Sequence, residues 1–364
     1  MVASILKTYG IDIRQGSVQA LEGGLINKTW KVSHAGRHLI LQKLNHQIFK
    51  DPEAIARNIR LVSEHLKENH PDYLFVSPLK NESNIDLVFD PAFGYFRLLP
   101  FVTNSHTLHV VTSPNQAYEA ALQFGNFTHL LSGFDSSRLT TTIQDFHNLS
   151  LRYFQFESAL QHGNPARIAE AKEMVSAVKR NHAIVEKYQS ITRNPAVRRR
   201  VTHHDTKISN VLFDGNGRGM CVIDLDTVMP GYFISDVGDM MRTYLSPANE
   251  EEKDTDKIDV RDEYFTAIVQ GYLRSMHHDM TDDEHELIFY AGLFMIYMQA
   301  LRFLTDHLND DVYYGAQYEG HNLVRGTNQL VLLERLSEKQ ALYNKIIRQE
   351  LKYQVFPGAA ITFD

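Results

Sequence analysis

The stretch from His203 to Asp239 restricts what this chain can fold into more than any other. It opens with His203-His204-Asp205-Thr206-Lys207-Ile208-Ser209-Asn210. An apolar run, Val211-Leu212-Phe213, meets the turn Asp214-Gly215-Asn216-Gly217. A second run, Cys221-Val222-Ile223, then leads to Asp224-Leu225-Asp226. Two apolar runs about such a turn predict a β-hairpin. In an antiparallel pair the residue before one strand lies beside the residue after the other. Asn210 and Asp224 are therefore expected side by side, with Asp205 just upstream on the entering loop. One amide oxygen and two carboxylates are hard ligands that suit Mg²⁺, which usually takes one or two carboxylates plus substrate phosphates.

The pattern H-x-D-x-x-x-x-N, then a hairpin, then a metal-binding Asp, resembles the catalytic apparatus of the protein-kinase superfamily. The resemblance implies Asp205 as catalytic base, Asn210 and Asp224 as metal ligands, and His203 as support for the loop. It also implies an Asp past the hairpin that orients the loop through hydrogen bonds. Asp236, in Ser235-Asp236-Val237-Gly238-Asp239, takes that part. The fold implied is α+β and bilobal, protein-kinase-like. A small β-rich N-terminal lobe (1–102) would bind nucleotide, and a larger, mainly helical C-terminal lobe (103–364) would carry catalysis and substrate.

Composition is compatible with this. A chain of 364 residues suffices for one two-lobed domain or two ordinary ones, and a net charge of −7 argues against a nucleic-acid surface. The one dense basic run, Arg198-Arg199-Arg200, reads as a solvated face or an anion contact. A single cysteine, Cys221, excludes an intrachain disulfide and reads as a small core residue. No signal peptide is read at Met1–Asp12. The apolar segment Leu287–Leu301 is shorter than a membrane span needs and predicts a buried helix. No membrane partner is expected, and the cytoplasm follows as a default.

Along the chain, Ile5–Gln19 predicts a short helix and an extended lead-in. Gly23-Gly24, followed by Asn27, Thr29 and alternating apolar residues, predicts a tight turn between strands. Such a turn lets backbone N–H groups approach phosphates, although most Gly-Gly turns are only turns. In a kinase-type lobe the next strand, His38–Leu44, carries the cation that meets the phosphates. Lys43 is the charged candidate, but alternation leaves Gln42 and Lys43 on opposite faces, so only one points into the cleft. Asp51-Pro52 predicts a helix start, with Ile55, Ile59, Val62 and Leu66 inward. Glu64 on it is either a partner for Lys43 or a solvated acid. Leu74–Val76, Asp86–Phe89 and Tyr95–Val102 predict strands. The hinge is placed at Thr103-Asn104-Ser105, with Phe101 beside it on the nucleotide side.

Helices are expected from Ser113-Pro114 to Leu131, from Pro165 to about Ile191, and from Gln329 to Leu351. Glu250–Glu263 reads as an exposed loop and helix start. The segment Met276–His285 holds metal-capable letters, but Thr281 and Glu284 form a capping box that accounts for them. Arg302 and Asp306 share a helical face, as a structural pair or with Arg302 reaching the substrate.

Together these residues resemble the aminoglycoside phosphotransferase-like kinases and, within them, bacterial N-acetylhexosamine 1-kinases. The resemblance rests on Gly24-x-Ile26-Asn27-x-Thr29, Leu39–Asn45 with Phe49 and Pro52, Asn58-Ile59, Phe124-Gly125-x-Phe127, Phe146-His147, His203–Asn210 and Val222–Pro230. It continues in the tail, Arg302–Asp306 with Asp311, Tyr313, His321-Asn322-Leu323 and Gln329. It implies transfer of the γ-phosphoryl group of ATP, with Mg²⁺, to the anomeric hydroxyl of an N-acetylhexosamine, with Arg302 and Asp205 at the sugar. Departures are Glu22 and Asp310, where family members tend to have Gly, and Leu25, where the best-known members have His. They bear on the sugar more than on the reaction. The alternatives are another acceptor (choline, homoserine, an aminoglycoside), a nucleotide-binding pseudokinase, or a glycosidase using Asp205 and Asp224. The intact Asp205, Asn210 and Asp224 argue against a pseudokinase, and a glycosidase needs no Asn210.

Overall fold

The computed structural model describes residues 1–21 and 26–355. Gly23 and Gly24, with the departures at Glu22 and Leu25, lie outside the described residues. The chain divides into two compact units. One comprises Met1–Thr107, Gly133–Gln144 and Asn210–Pro230; the other comprises Leu108–Ser132, Asp145–Ser209 and Gly231 onward.

The first unit begins with helix α1 (Val2–Lys7) and strands β1 (Gly16–Leu21), β2 (Lys28–His34) and β3 (Arg37–Lys43). Helix α2 (Pro52–Asn69) and strands β4 (Val88–Asp90) and β5 (Gly94–Pro100) follow. The strands form one sheet in the order β1-β2-β3-β5-β4, with antiparallel neighbours. Alternation divides its residues between two faces. Trp30, Val32, Leu39, Leu41, Phe96 and Leu98 pack with Ile5 and Leu6 of α1 into the unit's core. Leu74–Val76, expected as a strand, is loop. Three residues are too few for apolar content to fix an extended state without a partner strand.

Helix α2 starts as its sequence directs. Pro52 fills the first turn, and Asp51 accepts from the Ala54 N–H at 2.9 Å, a cap worth about 1 kcal/mol. Its buried Asn58 is the long-range tie. The amide donates to the carbonyls of Thr140 (2.8 Å) and Val228 (3.1 Å) and accepts from the Thr140 N–H at 2.9 Å. Glu64 is exposed on the same helix.

The second unit is helical: α3 (Pro114–Leu130), α4 (Leu149–His162), α5 (Pro165–Glu170), α6 (Lys172–Arg180), α7 (Ala183–Arg193), α8 (Phe233–Tyr244), α9 (Asp262–Met276), α10 (Asp282–His285), α11 (Ile288–Leu308), α12 (His321–Glu338) and α13 (Gln340–Val355). The single helix expected from Pro165 to Ile191 is three, broken at Ala171 and at Asn181-His182. Likewise α12 and α13 replace one helix. The break at Asn181 suits a residue that competes for backbone hydrogen bonds. The predicted capping box forms at α10, and its Glu284 is fully buried against Arg200 at 2.7 Å. Metal-capable letters there are thus absorbed by structure.

Helix α11 packs against α8, α12 and α4. Among the described residues it alone is long and apolar enough to cross a membrane, but 83% of its apolar window is buried in the protein, as a core helix requires.

Candidate active site

The hairpin forms as predicted, from Val211–Phe213 and Gly219–Val222, with Val211 opposite Val222. The Ile223 N–H donates to the Asn210 carbonyl at 2.8 Å, which sets Asn210 at the open end one residue short of Asp224. Asp224 is exposed and holds a left-handed backbone, φ 59°. A non-glycine residue pays for that conformation, and such positions gather at functional sites. Among the described residues no three His, Cys, Asp or Glu side chains form a metal cage. An amide and a carboxylate of this kind fit a cation that draws its other ligands from water and phosphate, as Mg²⁺ does.

Two residues beyond Asp224, Asp226 turns inward. Its carboxylate meets the Arg97 guanidinium at 2.5 Å and accepts from Asn27 Nδ2 at 2.7 Å. Asn27, expected at the nucleotide, also takes the Asn45 N–H at 3.0 Å. Arg97 reaches on to Gln42 Oε1 at 2.9 Å, and Gln42 lies 3.4 Å from Thr29 Oγ1. Register explains this, because Thr29 pairs with Gln42 and Gln42 with Arg97. Gln42 therefore shares its face with Arg97 and Asp226. Lys43, the first choice from sequence for the phosphates, lies on the other face, paired with Phe96. Lys31, on the Gln42 face, holds its ammonium 4.2 Å over the Phe101 ring. Arg97 was not singled out from sequence, yet it is the one charge in an apolar strand, which is the mark of a buried ion awaiting a partner.

In the second unit the loop around Asp205 is tightly held. Asp236 accepts the N–H groups of His203 (3.0 Å) and His204 (2.7 Å), and its carbonyl accepts from the Thr206 hydroxyl at 2.8 Å. Asp239 takes the Thr206 N–H at 2.9 Å, and the Tyr244 hydroxyl donates to the Thr206 carbonyl at 2.5 Å. Burial pushes Asp236 up to about 6, against the pull of His203 and the two N–H donors. The ring of His203 is fully buried, edge-on to Phe124 at 5.1 Å. His204 has φ 69°, and a Cβ on Gly231 would stand 2.4 Å from its ring, so only glycine fits there. Asp205 stays partly exposed, with Lys207 at 3.2 Å.

From this loop a second set of contacts leads away. His204 Nδ1 lies 3.3 Å from His147 Nδ1, and His147 stacks on Phe146 at 4.3 Å. Burial holds His147 well below its usual range, reinforced by His204, Arg302, Arg242 and Arg152. Arg302 stands 6.0 Å over Phe146 and borders a cavity of about 320 Å³ lined also by Arg152, Phe154, Gln155, Tyr313 and Tyr314. Asp306 does not pair with Arg302. It accepts the N–H groups of Tyr313 (2.7 Å) and Tyr314 (2.8 Å) and the Asn322 amide (3.1 Å). Asp310, at the position where glycine is usual, has φ 62° and is steadied by Asn164 at 2.8 Å.

Residues 17–277 match the model of a phosphotransferase family, the phosphotransferase enzyme family. The chain belongs to that family. It is an ATP-dependent phosphotransferase that takes an alcohol as acceptor, a small-molecule kinase with an α+β, protein-kinase-like fold. Similar solved structures include an aminoglycoside phosphotransferase from Alicyclobacillus acidocaldarius (12% identity over 94% of this chain and 96% of that one, TM-score 0.60). A spectinomycin phosphotransferase with ADP and spectinomycin is similar at 13% identity over 93% and 97%, TM-score 0.59. An amicoumacin kinase with AMP-PNP and Ca²⁺ is similar at 14% identity over 91% and 93%, TM-score 0.58.

Proposed function

We propose that this phosphotransferase moves the γ-phosphoryl group of ATP onto the anomeric hydroxyl of an N-acetylhexosamine. The observation that carries the choice of acceptor is the charge of the cavity beside Arg302. Two guanidiniums line it, and the one carboxylate among its walls, Asp306, is occupied by two backbone N–H groups and an amide. A cationic acceptor such as choline or an aminoglycoside wants the opposite field. Arginines beside tyrosines suit the hydroxyls and apolar face of a neutral sugar, and the volume suits one ring.

Asp205 aligns the C1 hydroxyl and accepts its proton as the sugar oxygen attacks phosphorus. The bond from phosphorus to the ADP oxygen breaks and ADP leaves. The C1–O bond persists, so the bound anomer is retained. Asn210 and Asp224 would hold Mg²⁺, which neutralises phosphate charge when bound. Gln42, in place of Lys43, with Thr29 and Lys31, faces the phosphates; Arg97, paired with Asp226, steadies Gln42, and Phe101 sits at the base. His203 and Asp236 hold the loop. We assign nucleotide binding to the lobe 1–102, catalysis and acceptor binding to 103–364, and a cytoplasmic site of action.

The test is an ADP-release screen over free hexosamines, hexoses, choline and aminoglycosides, with phosphorus NMR of the product. A phosphate doublet coupled to the anomeric proton is expected with N-acetylhexosamine. Turnover confined to cationic acceptors would overturn the reading. Asp205→Asn should lose several orders of magnitude in turnover, roughly 10³-fold or more, while the protein stays folded.

A further inference from the structure

Asp239, which anchors the loop through the Thr206 N–H, takes its other hydrogen bonds from Arg242, at 3.1 and 3.2 Å. Arg242 extends to one oxygen of Glu250 at 3.1 Å. The second oxygen of Glu250 is held by Arg325 in a very short contact. Arg325 donates onward to the Asn322 side-chain oxygen at 3.3 Å. The Asn322 amide then grips Asp306 (3.1 Å), Asp311 (2.8 Å) and the Gly315 carbonyl (3.0 Å). Those are the groups that shape the turn presenting Tyr313 and Tyr314 to the Arg302 cavity. Arg325 also packs 3.7 Å over the Phe303 ring.

We propose that Glu250 is a positioning residue that couples the acceptor cavity to the catalytic loop. It is the only carboxylate in the chain of contacts that grips both arginines, one fixed to the loop's anchor and one to the cavity's turn. Neither arginine can move without pulling on the other, because each is partly buried and depends on the shared charge. The coupling makes loop geometry answer to an ordered cavity turn. That is how a group remote from the reacting atoms changes kcat, since small displacements of a catalytic group are costly. Sequence gave no hint of it: Glu250 opens an acidic run that reads as solvated.

The kinetic arm of the test uses N-acetylglucosamine and rests on the acceptor reading above; the exchange arm needs no acceptor. Glu250→Gln should lower kcat by roughly tenfold or more and raise the sugar's KM, with the KM for MgATP unchanged within about twofold. Arg325→Lys keeps the charge but loses the fork, so it should show the same pattern more weakly while folding normally. Combined with Asp306→Asn, the Glu250→Gln loss should be far less than multiplicative. In the exchange arm, Asp306→Asn and Arg325→Lys, both at the far end, should each speed hydrogen exchange at the Thr206 amide by roughly tenfold. Unchanged exchange in both variants, or losses that simply multiply, overturns the coupling. Wild-type enzyme inert towards every aminosugar, with the exchange effect intact, overturns only the acceptor reading.

Discussion

Arg97→Met is the sharpest test of how the first unit holds its site. The Arg97 and Asp226 side chains are 5% and 1% exposed. Removing one member of a buried pair strands the other charge, at a cost of about 3–5 kcal/mol. Asp226 keeps one donor, Asn27 at 2.7 Å, which places the loss near the lower end, at about 3 kcal/mol. A second change, Asp226→Asn, removes the stranded charge and keeps an acceptor for Asn27. It should return a third or more of the loss, about 1 kcal/mol. The assay is urea unfolding followed by the single tryptophan, Trp30, which packs on the core of this unit and reports its unfolding. An Arg97→Met cost below about 1 kcal/mol, or an Asp226→Asn change that deepens the loss, would falsify the argument from buried charge.

Asp236 gives a pH prediction with two signs. Its folded value, about 6, lies above the ordinary 3.8, so its contribution to stability is full below 3.8 and lost as pH rises through about 6. That interval corresponds to about 3 kcal/mol. Activity runs the other way, because protonation removes an acceptor from the His203 and His204 N–H groups. Turnover should fall as pH drops through about 6, and a kcat profile flat from pH 5 to 7 contradicts it. Gly231→Ala drives a methyl to 2.4 Å from the His204 ring and should cost about 1–3 kcal/mol in melts along with a marked loss of kcat. A fully active, equally stable variant refutes the close approach. Finally, Lys43→Met should leave the KM for MgATP within about twofold, while Gln42→Ala raises it several-fold; the reverse result restores Lys43 to the phosphates.

The parts of this molecule legible from sequence are those fixed by neighbours in the chain. The hairpin between Asn210 and Asp224 needs only a turn and two apolar runs, and the caps at Asp51, Ser113 and Thr281 need only three or four residues. What stayed hidden depends on distant partners. Alternation showed that Gln42 and Lys43 differ in face, but only the pairing with Arg97 shows which of them joins the buried ion pair with Asp226. Glu250 looks like one more surface acid until Arg242 and Arg325 converge on it. Arg302 and Asp306 obey helical spacing yet do not meet, because the backbone of Tyr313 and Tyr314 claims the carboxylate first.

Cys221 lies fully buried in the second hairpin strand, and burial pushes its thiol up to about 12. At neutral pH it offers almost no thiolate to a maleimide or an oxidant. The natural enzyme is therefore already a silent background for spectroscopy. A surface cysteine introduced at a chosen site could carry a fluorophore or spin label without first mutating the native thiol, and the label would report that site alone.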